Sequence, residues 1–326
     1  MSLSKTETRR PEAVAAPGGA VALPGRGSPS RRRLLRPGES LGYALTAPAV
    51  LALLAVTAYP FLSNLWASFH YDNKLDPVTG TPWVGLKNYR QVFSAQTDLL
   101  PALEHTILYT VVAVTFEVAI GLGIALLLAR PMRGVGIFRT LILLPWAVPT
   151  VVAATMWKTM FDERSGAVNY LLGLAHLPGA DTSWFTGTLS SWTAILMADA
   201  WQSVPFVAIL LLAGLQGIPR DVYEAAHVDG AGPFRIFWSI TLPMLRPTLM
   251  VVLIFRTLSS FLIFDLIYAM TGGGPGTATA TVSYLNWRAF LVNSDFGLGG
   301  AISVVMVVVA LLIAALYKIT MKPATE

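Results

Sequence analysis

The sequence has no cysteine, only four histidines in 326 residues, and just 13% charged side chains. Without thiols there is no disulfide, no thiolate metal site and no cysteine nucleophile. The histidines, His70, His105, His176 and His227, show neither HExxH nor any other paired-ligand spacing, so no metal site is expected. The pattern GxxxxGK[ST], whose amides and lysine hold nucleotide phosphates, does not occur. Gly272, Gly273, Gly274 and Pro275 lack the lysine and the following helix, and read as an outer turn. No nucleophile, base and orienter stand out as a triad, so no catalytic residue is expected. A soluble domain carries about 25% charge. Half that value, with 54% hydrophobic residues and a mean hydropathy of +0.60, excludes an ordinary water-soluble enzyme and a disordered chain alike. What remains is an integral membrane protein.

A helix needs about 20 mainly apolar residues to cross the hydrocarbon core. Six windows meet that need, roughly 43–69, 104–129, 138–161, 190–214, 247–270 and 298–319, which predicts an all-α fold of six transmembrane helices. Pro48, Pro60, Pro145, Pro149 and Pro205 fall inside them, tolerable where neighbouring helices or water satisfy the freed backbone groups. The net charge of +5 could suggest nucleic acid, but its distribution points to membrane orientation instead. With the N-terminus inside, sixteen Lys and Arg are cytoplasmic: eight in the tail, then Arg130, Arg133, Arg139, Arg220, Arg235, Arg246, Lys318 and Lys322. Five are outside, namely Lys74, Lys87, Arg90, Arg164 and Arg288. The positive-inside rule then places both termini in the cytoplasm. Trp66, Trp83, Trp184 and Trp287 lie near the outer interfaces, as an aromatic belt requires.

Residues 1 to about 40 are rich in Pro, Gly, Ala, Ser and Arg without periodicity, and read as a disordered basic cytoplasmic tail. The apolar run after Arg31, Arg32 and Arg33 is too long for a signal peptide and has no small-residue cleavage site behind it, so the tail is expected to be retained. The remainder, 41–322, holds all six windows and forms the second region, a transmembrane domain.

The cytoplasmic loop 216–247 carries the strongest signal: QGIPRDVYEAAHVDGAGPFRIFWSITLPMLRP. Pro219 takes a first helical position, with Asp221 and Glu224 in the first turns. Gly230 and Gly232 end that helix, Pro233 opens a second running to Leu242, and Pro243 is expected to break it. The helix–bend–helix presents small residues that let another protein approach the backbone closely, with Glu224 and Asp229 as acceptors for a partner's Arg or Lys.

EAAHVDGAG, followed by ITLP and a further Pro, resembles the EAA loop of ABC importer permeases, above all the carbohydrate group of maltose and trehalose type. The resemblance extends over nearly the whole chain from about residue 40, through AYPFLSNLWASF, VGLKNYRQVF, LLPWAVPTVVAATMW and FRTLSSFLIFDLIYAMTGGGP. It implies a type I importer fold in a bacterial cytoplasmic membrane. The implied assembly has a second permease subunit, expected to form a heterodimer, and two copies of a cytoplasmic ATP-binding subunit that would hold ATP and Mg. It also has an extracytoplasmic sugar-binding protein, and no nucleic acid takes part. The element seated in the ATPase would be Glu224, Ala225, Ala226, Asp229, Gly230, Ala231 and Gly232. The family's substrate-facing positions match Gln202, Ser203 and Phe206, then Arg256, Thr257 and Ser260. For Ser203, Thr257 and Ser260 the alternative is interhelical hydrogen bonding.

Polar positions in the spans are mostly Ser, Thr, Gln and aromatics, which suits a neutral polyol; an anion carrier should offer basic residues and a polycation carrier several acidic ones. The wording FRTLSSFLIFDLIY resembles that of trehalose-type permeases, a resemblance that implies trehalose, with another neutral or polar solute as the alternative. A membrane-embedded transferase would need acidic or histidine clusters at the membrane surface, and none is visible. Glu117, Asp199, Arg256 and Asp265 lie within spans, where an unpaired ion is expensive. At ~1.5 Å per residue, Glu117 and Arg256 both fall ~20 Å from the outer ends of their windows, which predicts an ion pair between them. Arg256 is then either structural or a direct sugar contact. Asp199 and Asp265 are expected to face the outer part of the cavity.

Overall fold

The computed structural model describes residues 37–76, 80–94, 97–131 and 133–320. The expected tail lies almost entirely outside them, as does Lys322. The chain divides into a short unit up to Ala55 and a main unit from Val56 onward. Helix α1 (Pro37–Ala67) begins in the first unit and ends in the second. The main unit continues with α2 (Lys87–Val92), α3 (Leu99–Leu128), α4 (Val135–Leu141), α5 (Leu144–Ala147), α6 (Thr150–Met160), α7 (Ala167–Leu174) and α8 (Thr188–Gln216). Then come α9 (Arg220–Val228), α10 (Pro233–Ile236), a π-helical turn over Phe237–Thr241, and α11 (Leu242–Phe261). The chain closes with α12 (Asp265–Met270), α13 (Val282–Trp287), a second π turn and α14 (Phe296–Thr320).

Five of the described helical stretches are long and apolar enough to span a membrane: Ala44–Ala67, α3, α8, Pro233–Phe261 and α14. The sixth window is not a straight helix. Val135–Ala147 and Thr150–Met160 meet at 89°. Pro149 causes the break, because it has no N–H and pushes Val148 out of helical geometry into an extended conformation (ψ 132°).

Pro243, by contrast, does not end the helix in front of it. The π turn passes the chain into α11, with the Leu242 N–H bonded to the Phe237 carbonyl five residues back. Pro243 follows directly, and the wider π turn accommodates its ring inside a continuous helical stretch. The fifth span therefore starts at Pro233 and stops at Phe261, rather than covering 247–270. The remaining residues of that window form α12 after a separate turn. Gly272–Pro275 is a turn following α12, as its composition implies.

The buried face of α3 is made mostly of small or polar residues. The buried residues of α3 include Thr106, Thr110, Ala113, Glu117, Gly121 and Ala125 beside Tyr109 and Leu128, while Val111, Phe116, Ile120 and Leu127 are exposed. Spacings of three and four put the small residues on one face, and small residues let helices approach closely where lipid supplies no hydrophobic drive. The approach to α8 is tight. A Cβ added at Gly121 would lie 2.5 Å from Val207 Cγ1 and 3.3 Å from the Ala208 amide nitrogen. Elsewhere in the main unit, Gly297 and Gly300 of α14 admit the backbone of His70 and Asn64 respectively, and Asn88 donates to the carbonyls of Ser68 (2.9 Å) and His70 (2.7 Å).

Candidate functional site

The break between α5 and α6, the middle of α8, and the turn from α11 into α12 line a partly open cavity of about 550 Å³. Trp146, Phe255 and Phe264 supply aromatic wall; Thr150, Asp199, Gln202, Ser203, Arg256, Ser259 and Asp265 supply polar groups. That mixture, at a volume within the usual range for small-molecule sites, suits a polar solute with apolar ring faces. Asp199, Gln202 and Ser203 share one face of α8 by their spacing. Irregular backbone at this depth must be satisfied from within the protein. Gln202 does so, with Nε2 donating to the freed Val148 carbonyl at 2.7 Å.

Of the substrate-path residues read from sequence, Gln202, Ser203, Arg256 and Asp265 line this cavity, and Phe206, Thr257 and Ser260 do not. Phe206 lies behind the aromatic wall, stacked on Trp146 with ring centroids 5.2 Å apart and meeting Phe255 at 5.1 Å. The Thr257 hydroxyl shares a 2.7 Å hydrogen bond with the Tyr317 hydroxyl, tying α11 to α14. Ser260 is buried and accepts from Arg256 at 3.2 Å.

Glu117 and Arg256 meet in a two-point pair. Arg256 Nε donates to Oε2 at 2.7 Å and Nη2 to Oε1 at 2.8 Å. Glu117 has no exposed surface at all. Asp199 does not simply face the cavity, as expected from sequence. It is drawn into the same cluster, with both its oxygens 3.4 Å from Arg256 Nη2. Tyr109 donates to its Oδ2 at 2.5 Å and Ser203 to its Oδ1 at 2.9 Å. The cluster thus joins α3, α8 and α11. Tyr109 escaped the sequence reading because a tyrosine on an apolar stripe looks like core. Its signal was the eight-residue spacing to Glu117, two turns along the same face of α3.

The 216–247 segment forms the hairpin α9–α10. Its bend is set by Gly230 in the left-handed region (φ +71°). The Ala231 N–H bonds the Ala226 carbonyl at 2.9 Å and the Gly230 N–H bonds that of His227 at 3.0 Å. These are the two bonds of a Schellman cap. Glu224, Ala225, Asp229, Gly230 and Gly232 are exposed; Ala226 is buried and faces the rest of the chain, and Ala231 is half-buried. The Tyr223 hydroxyl lies 3.2 Å from Thr241 Oγ1 and braces the hairpin against the start of α11. Beside the bend Val228 is 89% and Phe234 77% exposed, the Phe234 ring lying 6.1 Å from that of Trp238.

The model of the family "Binding-protein-dependent transport system inner membrane component" matches residues 118–322. The trehalose/maltose transport system permease protein MalF of Thermococcus litoralis is 40% identical over 277 residues, covering 85% of this chain and 92% of that one. The trehalose transport system permease protein SugA of Mycobacterium tuberculosis is 38% identical over 266 residues, covering 82% and 83%. Among solved structures, a bacterial ABC transporter involved in import of the acidic polysaccharide alginate superposes with a TM-score of 0.76 at 22% identity, over 89% of this chain and 97% of that one, a likeness of fold. The chain therefore belongs to the family of binding-protein-dependent transport system inner membrane components, and stands within it among the membrane-spanning permeases of carbohydrate-uptake ABC importers.

Proposed function

We propose that this chain forms one half of the translocation path for a neutral disaccharide, with trehalose the leading candidate, and transmits the ATPase stroke to that path through the α9–α10 hairpin. As a permease subunit it is a transporter component, and ATP hydrolysis belongs to a separate subunit. The remaining parts are a second permease subunit, two cytoplasmic ATP-binding subunits that hold ATP and Mg, and an external sugar-binding protein. Both termini lie in the cytoplasm, which puts the hairpin on the ATPase side.

The observation that carries this reading is the cavity itself. Aromatic faces (Trp146, Phe255, Phe264) oppose hydrogen-bonding groups (Gln202, Ser203, Ser259, Asp265) around one space. Sugars have apolar faces edged with hydroxyls and need both. The identity of 38–40% to permeases named for trehalose supports the sugar assignment. The second reading, another neutral or polar solute, keeps the same cavity and coupling.

The assembled complex in proteoliposomes, with its binding protein outside and ATP inside, should accumulate labelled trehalose. Unlabelled trehalose should compete better than maltose. Accumulation of maltose but not trehalose would leave the permease role and overturn the choice of sugar.

A further inference from the structure

Among the described residues lining the cavity, Arg256 is the one cation. A guanidinium ordinarily grips phosphate or carboxylate through two parallel N–H bonds. Here that fork is already occupied: Nε and Nη2 both point at Glu117, and Nη2 also reaches Asp199 and Ser260. The other charged groups on the wall, Asp199 and Asp265, are carboxylates. An anionic solute would meet two like charges and a cation whose two-point Nε/Nη2 edge is taken. A neutral polyol would meet only donors and acceptors.

We propose that Glu117 and Asp199 set the charge selectivity of the cavity: by holding the Arg256 guanidinium between them, they exclude anionic sugars such as sugar phosphates. This rests on the reading of the cavity as the sugar path. A purely structural role explains Glu117 but not Asp199. One carboxylate neutralises one guanidinium, and a second buried carboxylate adds desolvation cost without a second cation to offset it. Asp199 nevertheless sits on the wall, anchored by Tyr109 and Ser203. Glu117 is fully buried and cannot touch a solute, so it is a positioning residue acting through Arg256. Asp199 acts from the wall itself.

The test measures the ratio of two affinities on the assembled complex in nanodiscs, without binding protein, so that the cavity alone is read. The probes are labelled trehalose and labelled trehalose 6-phosphate. The wild-type complex should prefer trehalose by at least about tenfold. Glu117→Gln should shift the ratio towards the phosphate by about tenfold, which is ~1.4 kcal/mol. Asp199→Asn should shift it in the same direction, and Glu117→Asp should restore the wild-type ratio. The phosphate binding gained should weaken as salt is raised, because it is electrostatic; a change in stability alone would move neither the ratio nor its salt dependence. If Glu117→Gln does not assemble, Asp199→Asn decides. An unchanged ratio in assembled variants that still bind trehalose overturns the proposal. A wild-type complex that binds phosphate as well as trehalose does so too. If the wild-type complex binds no neutral sugar, the sugar-path reading itself falls, and the proposal with it.

Discussion

Arg256→Gln should be among the most damaging single substitutions in this chain, lowering stability by about 3–5 kcal/mol, the usual cost of stranding a buried charge. It leaves Glu117, with no exposed surface, and Asp199, at 6% exposure, facing each other with no cation between them. Glu117→Gln should cost less, because Asp199 remains 3.4 Å from the guanidinium and keeps it paired. The double variant should recover part of the Arg256→Gln loss, since only Asp199 is then left charged, and it retains Tyr109 and Ser203 as donors. A double-mutant cycle on thermal inactivation of the assembled complex reads the coupling directly. Strictly additive losses would contradict a direct pair.

The second large effect is expected at Gly230. Its φ of +71° places a side chain in the left-handed region, at about 1–2 kcal/mol for an ordinary residue. A Cβ there would meet nothing of this chain within 4 Å, so the subunit should still fold. The damage should fall on whatever seats against the bend. ATP-dependent uptake should drop at least about tenfold with Gly230→Leu, equivalent to ~1.4 kcal/mol in the coupling step. Gly230→Asn should be tolerated much better, because Asn visits this backbone region readily. If Gly230→Leu leaves both assembly and binding-protein-stimulated ATP hydrolysis at wild-type levels, the hairpin is not the coupling element.

The helical architecture was legible because it rests on length and apolarity alone, and five spans follow from that. What hydropathy could not register was backbone direction. Pro149 and Pro243 look alike in sequence, yet the first breaks its helix at 89° while the second is absorbed by a π turn just before it. The difference lies in what surrounds each: Gln202 is in place to take up the carbonyl freed at Val148, and the π turn carries the helix past Pro243 without a break.

The Glu117–Arg256 contact has a similar lesson. Counting depth placed Arg256 fourteen residues from the outer end of a window running to 270, but α11 stops at Phe261. The two side chains meet because α3 and α11 pack together, and the depth count matched them in a frame the fold does not use. Asp199 joins them for a reason sequence spacing cannot supply, namely that α8 carries it into the gap between those helices. The exposed Val228 was invisible for the opposite reason: one valine in an apolar chain carries no signal until its surroundings are known.

The account stands on one claim, that the α9–α10 hairpin transmits an ATPase's motion to a sugar cavity in the same chain. The absence of cysteine makes a direct measurement available, because a single introduced thiol is unique in this subunit. Val228→Cys, 89% exposed in the wild-type chain beside the Gly230 bend, can carry a photoactivated, thiol-cleavable cross-linker in the complete reconstituted complex. The account predicts one cross-linked product with the ATP-binding subunit, arrest of trehalose uptake once it forms, and return of uptake when the linker is cleaved. An intact complex that yields no such product, or a cross-linked one that still transports at the full rate, would contradict it.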